Sequence, residues 1–275
     1  MGEMTGVDWA HSTFNCWWGC VEVGGSPACG GPEFGGECYA KTWDRRVGRS
    51  HWGNDAPRRF FSDKHWHELL KWNCAAEKEG KRRRVFIMSM GDWAEGRPDQ
   101  KPHLERLWRF FDRTPWLDKL MLTKRPQLIP SLYPLGRRKD VWMGCTTENQ
   151  HWLDIRWPLL RRVDAEIYWL SIEPLFERMV LPADFLALGK RAWVIVGGQS
   201  GPGAKPMQPD WARYLRDQCI DAGVPYFFKQ WGEWTQITDM DGRALPESYH
   251  RIGKKAAGHL LDGREWHEFP EVRNA

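Results

Sequence analysis

The sequence predicts an α/β protein whose parallel sheet is wound into a full or partial barrel. Three observations lead there. Short apolar runs alternate with amphipathic segments along the 275 residues. Those runs end, one after another, on polar residues. The segments between them repeat apolar positions at helical spacing, which is the order of a strand–helix repeat.

Taken in order, a first strand is expected near Val7–Phe14. A glycine- and cysteine-rich loop follows it. Further strands are expected at Arg84–Met90, Lys119–Thr123, Val141–Cys145, Ile167–Ser171, Trp193–Gly197 and Pro225–Lys229. Helical faces lie between them: Trp66, Leu69, Leu70 and Cys74; Leu104, Leu107, Trp108 and Phe111; Trp211, Tyr214, Leu215 and Cys219. That makes six or seven strands, fewer than a complete eightfold barrel. From Gly232 the turn signals Asp241-Gly242 and Asp262-Gly263 suggest a short β-rich or irregular extension over 232–275. No repeat or low-complexity linker interrupts the chain, so one domain over 1–275 is expected.

In such barrels the chemistry sits where strands end at their C-terminal edge. Here those ends read Ser89-Met90-Gly91-Asp92, Thr123-Lys124-Arg125-Pro126 and Thr146-Thr147-Glu148-Asn149-Gln150, then Ser171-Ile172-Glu173-Pro174, Gly197-Gly198-Gln199 and Lys229-Gln230-Trp231. One polar end is an ordinary loop start. Six in register mark the mouth of a barrel as a site.

The net charge of +4 is mild, but Lys81 to Arg84, Arg137 to Lys139, and Arg45, Arg46 and Arg49 form local basic runs. Such runs meet phosphate backbones or form a solvated face, and charge alone does not choose. Nineteen tryptophans are available to stack on bases, although several fall at helical spacing, where core packing accounts for them. No stretch of about 18 apolar residues offers a transmembrane helix, and no membrane partner is expected. The start MGEMTGVDWAHSTFN lacks the basic and apolar parts of a secretory signal. A cytoplasmic chain is therefore expected, with its seven cysteines reduced. Clustered cysteines there favour metal or catalysis over disulfides.

Four of those cysteines fall between positions 16 and 38. Cys20, Cys29 and Cys38 are separated by eight residues each, and the intervening stretches hold six glycines, which let a backbone bend around a bound group. Three thiolates leave one iron of a [4Fe–4S] cluster open. With Cys16 as a fourth ligand the site would close, as structural zinc or an electron-transfer cluster. Zinc ribbons favour close C-x2-C pairs, and none occurs. An iron–sulfur loop, a zinc site and unliganded thiols all remain open on spacing. Cys74 and Cys219 read as small core residues. Cys145 ends a strand, either packed or facing the barrel mouth.

Several motifs together carry a resemblance: Trp18-Gly19-Cys20, Cys29, Cys38-Tyr39-Ala40-Lys41, Ser89-Met90-Gly91-Asp92, Leu122-Thr123-Lys124-Arg125-Pro126 and Glu148-Asn149-Gln150. They continue with Leu170 to Leu175, Val194 to Gly203, Phe227 to Gly232 and Leu261 to Trp266, so the matches run from about residue 9 to 270. The chain resembles the phage and bacterial three-Cys-motif family with a radical-SAM-like barrel. The resemblance implies a partial (β/α) radical-SAM-type barrel with the cluster loop after its first strand. It also implies a [4Fe–4S] cluster on Cys20, Cys29 and Cys38, and S-adenosylmethionine (SAM) cleaved to a 5′-deoxyadenosyl radical. Tyr39 would pack beside cluster or adenine. Ser89, Gly91 and Asp92 would receive the methionine amino group, and Thr147, Glu148 and Asn149 the ribose. The Gly197-Gly198 turn would let backbone approach the adenine or methionyl part. The ligand spacing is wider than the C-x3-C-x2-C of most radical-SAM enzymes, and the aromatic follows the last cysteine.

Lys124, Arg125, Glu173, Lys229, Gln230 and Trp231 then remain for substrate. Cations in a mouth suit phosphate or carboxylate, and Glu173 an amine or ribose. The alternative is an internal ion pair of Glu173 with Lys124 or Lys229. In phages, proteins resembling this one are associated with hypermodified thymine, where an attached amino acid is rearranged by radical chemistry. The expected function is therefore hydrogen abstraction from an amino-acid-modified thymine in DNA, an isomerisation, with base flipping into the mouth. A flavodoxin or ferredoxin would donate the electron. Glu173, Lys229 and Cys145 would act catalytically. The alternatives are repair of damaged thymine, with Cys145 returning a hydrogen, and a non-catalytic zinc-stabilised DNA-binding protein.

Overall fold

The structure, a computed structural model, describes residues 6–31, 33–238 and 244–271. The chain divides into two compact units. One comprises Met1–Val23, Tyr39–Cys145 and Arg156–Tyr168; the other comprises Gly24–Cys38, Thr146–Ile155 and Trp169–Ala275.

The first unit holds β1 (Ser12–Phe14), β2 (Trp17–Trp18), α1 (Tyr39–Arg46), β3 (Arg59–Phe60), α2 (Asp63–Glu79) and β4 (Arg83–Ile87), followed by α3 (Lys101–Asp112), β5 (Leu117–Thr123) and α4 (Ile129–Leu132). It continues with β6 (Val141–Thr146), whose last residue belongs to the second unit, and closes with residues 156–168. β1, β4, β5 and β6 pair in parallel, with Phe14 opposite Ile87, Ile87 opposite Met121 and Thr123 opposite Cys145. Val85, Ile87, Leu120, Met121, Val141 and Met143 are all buried, which is why these strands read as apolar runs rather than alternations. β4 stops at Ile87, short of the expected Met90. Met88 turns to φ 68°, and Asn15 takes over the hydrogen bonding, donating to Ser89 Oγ at 3.0 Å and accepting from Met90 N at 2.7 Å. The ribbon of β2 and β3 was not legible, because two-residue strands carry no periodicity.

α3 buries Leu104, Leu107, Trp108 and Phe111 as its spacing predicts. α2 buries Trp66, Leu69, Trp72, Asn73 and Ala76, so its inward stripe runs through Asn73 and leaves Cys74 exposed. The expected core role of Cys74 is corrected accordingly. Asn73 takes the inward place because its Oδ1 accepts Trp116 N at 2.9 Å. A polar group is tolerated there because it is satisfied.

The second unit takes the start of α5 (Gln150–Leu160) and most of β7 (Ile167–Ile172), then α6 (Ala183–Leu186), β8 (Ala192–Gly197), α7 (Pro209–Ala222) and β9 (Tyr226–Gln230). β8 and β9 are parallel, with Ile195 opposite Phe227. α7 buries Leu215 and Cys219, with Trp211 and Tyr214 half-buried at its flank. Beyond β9 come β10 (Trp234–Thr238) and β11 (Ala244–Arg251), an antiparallel hairpin, and the short α8 (Lys254–Ala257). The expected turn at Asp241-Gly242 lies outside the described residues.

The extension then returns to the sheet. Phe227 bridges His267 antiparallel, Phe228 N donates to Trp266 O at 2.8 Å, and Glu268 N donates to Tyr226 O at 3.1 Å. Phe269 packs on both Trp193 and Phe227. The tail thus covers the open edge of β9, which would otherwise present unpaired backbone groups. Seven strands run β1-β4-β5-β6-β7-β8-β9 in one sheet. Each strand lies beside the one that precedes it in that order along the chain, the connectivity of a partial β/α barrel. Among the described residues no helix is long and apolar enough to cross a membrane.

Candidate functional site

In the first unit the chain carrying Cys20 is laid beside the end of β4. Gly19 N donates to Met90 O at 3.0 Å, and Gly19 forms a parallel bridge with Gly91. Only glycine fits here: φ is +111°, and a Cβ would lie 2.2 Å from His51 O. The bridge sets Cys20 near Asp92, the hub of the adjoining strand ends. Asp92 Oδ1 accepts Thr123 Oγ1 at 2.6 Å and Ala94 N at 3.0 Å; Oδ2 accepts Lys124 N at 3.1 Å and Arg125 Nη1 at 2.8 Å. Arg125 also donates to Val21 O at 2.5 Å and reaches within 3.9 Å of Cys20 Sγ.

Burial pushes the Cys20 thiol up to about 12, with Asp92 adding to the rise and Arg125 opposing it. A free thiol at this position stays protonated, and a bound metal would have to displace that proton. Burial works against the charge of Arg125, but Asp92 and Cys20 outweigh it and hold its pKa above the ordinary value. The Tyr39 hydroxyl donates to Ser89 O, while the residue is 64% exposed. Cys16 and Cys145 are both fully buried.

In the second unit a carboxylate holds the cysteine loop. Glu148, at the end of β6 and fully buried, accepts Ser26 Oγ at 2.5 Å and Ala28 N at 3.1 Å through Oε1. Trp152 Nε1 donates to Gly25 O at 2.9 Å, and Asn149 Oδ1 accepts Trp152 N at 3.0 Å at the start of α5. Gly30 bridges Glu37 antiparallel, so Cys29 and Cys38 are the residues immediately outside that bridge, one on each arm of the turn. The turn leans on the loop after β8. Cβ atoms on Gly35 and Gly203 would come 2.3 Å and 2.0 Å from each other's carbonyl oxygens, and the Lys205 ammonium donates to Glu33 O. Gly203 therefore serves close backbone packing of the cysteine loop.

At the ends of β7 and β9, Lys229 Nζ donates to both Glu173 oxygens, at 2.6 Å and 2.9 Å. The internal ion pair weighed from the sequence is thus formed, with Lys229 as the partner. Gln230 Nε2 donates to Gly198 O at 2.7 Å and to Glu173 Oε1 at 3.3 Å. Both neighbours are acceptors, which fixes the amide orientation and turns Gln230 Oε1 away from them. That oxygen, and Thr147 Oγ1, are buried without a hydrogen-bond partner among the described residues. A Cβ on Gly198 would lie 2.0 Å from Trp231 O, and one on Gly197 3.2 Å from the Glu173 carboxyl. Protein atoms therefore fill the space those glycines leave. Trp231 is tied to the tail by Nε1 donating to Leu260 O at 2.8 Å.

The arginines of two of the basic runs are spent on protein partners. Arg82 pairs with Asp118 at 2.6 Å, Arg83 with Glu79 at 2.6 Å, Arg137 with Glu166 at 2.7 Å, and Arg138 with Asp112 and Asp140 at 2.6 and 2.9 Å. Burial pulls Arg84 down to about 10, and it donates to Trp9 O. Arg45, Arg46 and Arg49 are exposed. Trp17, Trp66, Trp93, Trp142, Trp169 and Trp193 are fully buried, so much of the tryptophan content is core. Sequence reasoning missed Asn15 and Ser26. Ser26 before Pro27 was the one local signal, since that pair opens a 3-10 turn.

The donor set suits a thiolate-held group. Cys20, Cys29 and Cys38 form no disulfide, each is half-buried, and the latter two flank a glycine turn braced from outside. Among the described residues no three His, Cys, Asp or Glu side chains are grouped around one point as ligands of a single ion. Residues 4–270 match a family described as "Protein of unknown function (DUF5131)", and the chain belongs to that family. No curated protein and no solved structure matches it.

Proposed function

We propose that this chain is a radical-SAM enzyme acting on a nucleic-acid base, with an amino-acid-bearing thymine in DNA as the substrate and an isomerisation as the reaction. Cys20, Cys29 and Cys38 are the ligands of its [4Fe–4S] cluster in this reading. When bound, the cluster supplies one electron that splits the sulfonium C–S bond of SAM and so yields the species that takes a hydrogen atom from substrate. A flavodoxin- or ferredoxin-type protein provides that electron.

The observation that carries the reading is the brace on the cysteine loop. A buried strand-end carboxylate, Glu148, is committed to Ser26 and Ala28, so the segment leading to Cys29 is held by the sheet. That is a large investment of buried polar groups in a loop with no other evident task. The chain's own residues divide the remaining work. Asp92 fixes the backbone of Lys124 and the guanidinium of Arg125, and Arg125 supports the segment after Cys20. Thr147 Oγ1 and Gln230 Oε1 are available to bind hydroxyl or amino groups of a ligand. Glu173 and Lys229 present a fixed pair of opposite charges to an amino acid's ammonium and carboxylate.

Metal analysis of protein reconstituted without oxygen tests this. About four irons per chain are expected, with iron lost in Cys29→Ala and Cys38→Ala. One zinc and no iron would reject the enzyme and leave a structural knuckle.

A further inference from the structure

The first helix after the cysteines carries an exposed face, of which Trp43 and Val47 have no part in the proposed chemistry. Tyr39, Trp43 and Val47 follow one another at four-residue intervals, and they are 64%, 51% and 43% exposed. Four residues of helix advance about 6 Å along the axis, so the three form one stripe. Exposure of two large aromatic rings in series stands out where so many tryptophans are packed away.

The stripe is held rigidly. The Tyr39 hydroxyl is anchored on Ser89 O, which fixes the ring while leaving its face open. Val47 N donates to Trp43 O at 3.1 Å and Gly48 N to Arg45 O at 3.0 Å, prolonging the turn beyond the helix end. Buried Asp44 accepts His51 N at 2.8 Å, and its carbonyl accepts Arg49 N at 2.9 Å. Arg46 and Arg49 are thus carried on a fixed segment, both exposed. Of the acids nearby, Asp44 faces inward, and Glu22 is taken by Lys41 at 2.9 Å.

We infer that α1 and the segment to Arg49 form a docking surface for single-stranded nucleic acid, with Tyr39 and Trp43 stacking on bases and the arginines meeting phosphates. Rigid aromatic rings beside cations are the elements of a sequence-tolerant single-strand platform. The ring spacing of about 6 Å along the axis is roughly twice the 3.4 Å rise of stacked bases. Neighbouring bases would therefore lie unstacked from each other, each on its own ring. A duplex cannot use this surface, because its base faces are covered. The inference rests on the proposed function only for the substrate's class, and it names how a strand opened around the target base is held.

The test is fluorescence anisotropy with a short labelled oligothymidylate at low and moderate salt. The full chain should bind it, and Trp43→Ala should weaken binding at least about fivefold, with Trp43→Phe retaining most of it. Arg46→Glu with Arg49→Glu should reduce the slope of log affinity against log salt by roughly 0.7 for each phosphate no longer neutralised. Equal affinity of the wild type and Trp43→Ala would overturn the proposal. So would equal affinity for a duplex of the same length, or equally effective competition by polyglutamate, which would mark an acidic-protein surface. Release of 5′-deoxyadenosine from SAM is not expected to change in Trp43→Ala. The docking surface and the enzyme can therefore fail separately.

Discussion

Glu148 turns away from solvent and into hydrogen bonds with a segment more than a hundred residues earlier in the chain, Ser26 lying 122 positions away. Its removal takes away the carboxylate that Ser26 Oγ and Ala28 N donate to, so Glu148→Ala should cost about 1–3 kcal/mol, read as a lower urea midpoint, and should shed iron during gel filtration. Unchanged stability and iron retention would mean the brace has no role. Glycines separate by the same reasoning. Gly198→Ala places a methyl 2.0 Å from Trp231 O and should destabilise by about 1–3 kcal/mol. At Gly24 nothing lies within 4 Å of a new Cβ and no positive φ is required, so Gly24→Ala should leave the thermal midpoint unmoved. Chemically conspicuous residues such as Asp92, Glu148, Glu173 and Lys229 stood out in the sequence because a polar group closing an apolar run is visible locally. The pairing of Glu173 with Lys229 was weighed there too, but Ser26 as the partner of Glu148 was not: it takes up that hydrogen bond only through the fold, and no local pattern encodes a hydrogen bond over such a separation.

Strands were the most legible elements, because a strand buried on both faces must be a continuous apolar run. β5 is instructive where it departs from that rule. Lys119 is fully buried, donating to Asp140 Oδ2 at 2.6 Å and Thr114 O at 2.6 Å. Burial pulls its pKa down to about 8, against the support of Asp140. The unfolded chain keeps that proton up to its ordinary 10.5. Between these two values the unfolded state binds more protons, so this group adds stability as pH rises. Urea midpoints measured across that window should rise in the wild type relative to Lys119→Met; a parallel pair of curves would refute the assignment. Near neutral pH, losing one partner of the buried pair in Lys119→Met should cost about 3–5 kcal/mol. The tail was least legible. Its short strand-like contacts with β9 carry no periodicity, yet Trp266 and Phe269 close that edge. Trp266→Ala should lose about 3–5 kcal/mol and aggregate on warming, as an uncovered edge predicts.

At the scale of the whole molecule, sequential parallel pairing ends each strand on a polar loop, and the longest of the early loops carries the cysteines. The structure describes how that loop is fastened within the second unit, by Glu148, by Trp152 and by the back-to-back Gly35 and Gly203. It also shows that basic runs are a poor guide to a phosphate surface, since Arg82, Arg83 and Arg138 serve neighbouring carboxylates. Of the third run, the exposed Arg46 and Arg49 sit at the end of α1 and just beyond it. On the proposed function these arrangements serve SAM cleavage at a thiolate-held cluster. Chromatography of an anaerobic mixture of reconstituted protein, SAM and dithionite tests this. 5′-Deoxyadenosine is expected, abolished in Cys20→Ala, Cys29→Ala and Cys38→Ala alike. Intact SAM in the presence of a full complement of iron would contradict it.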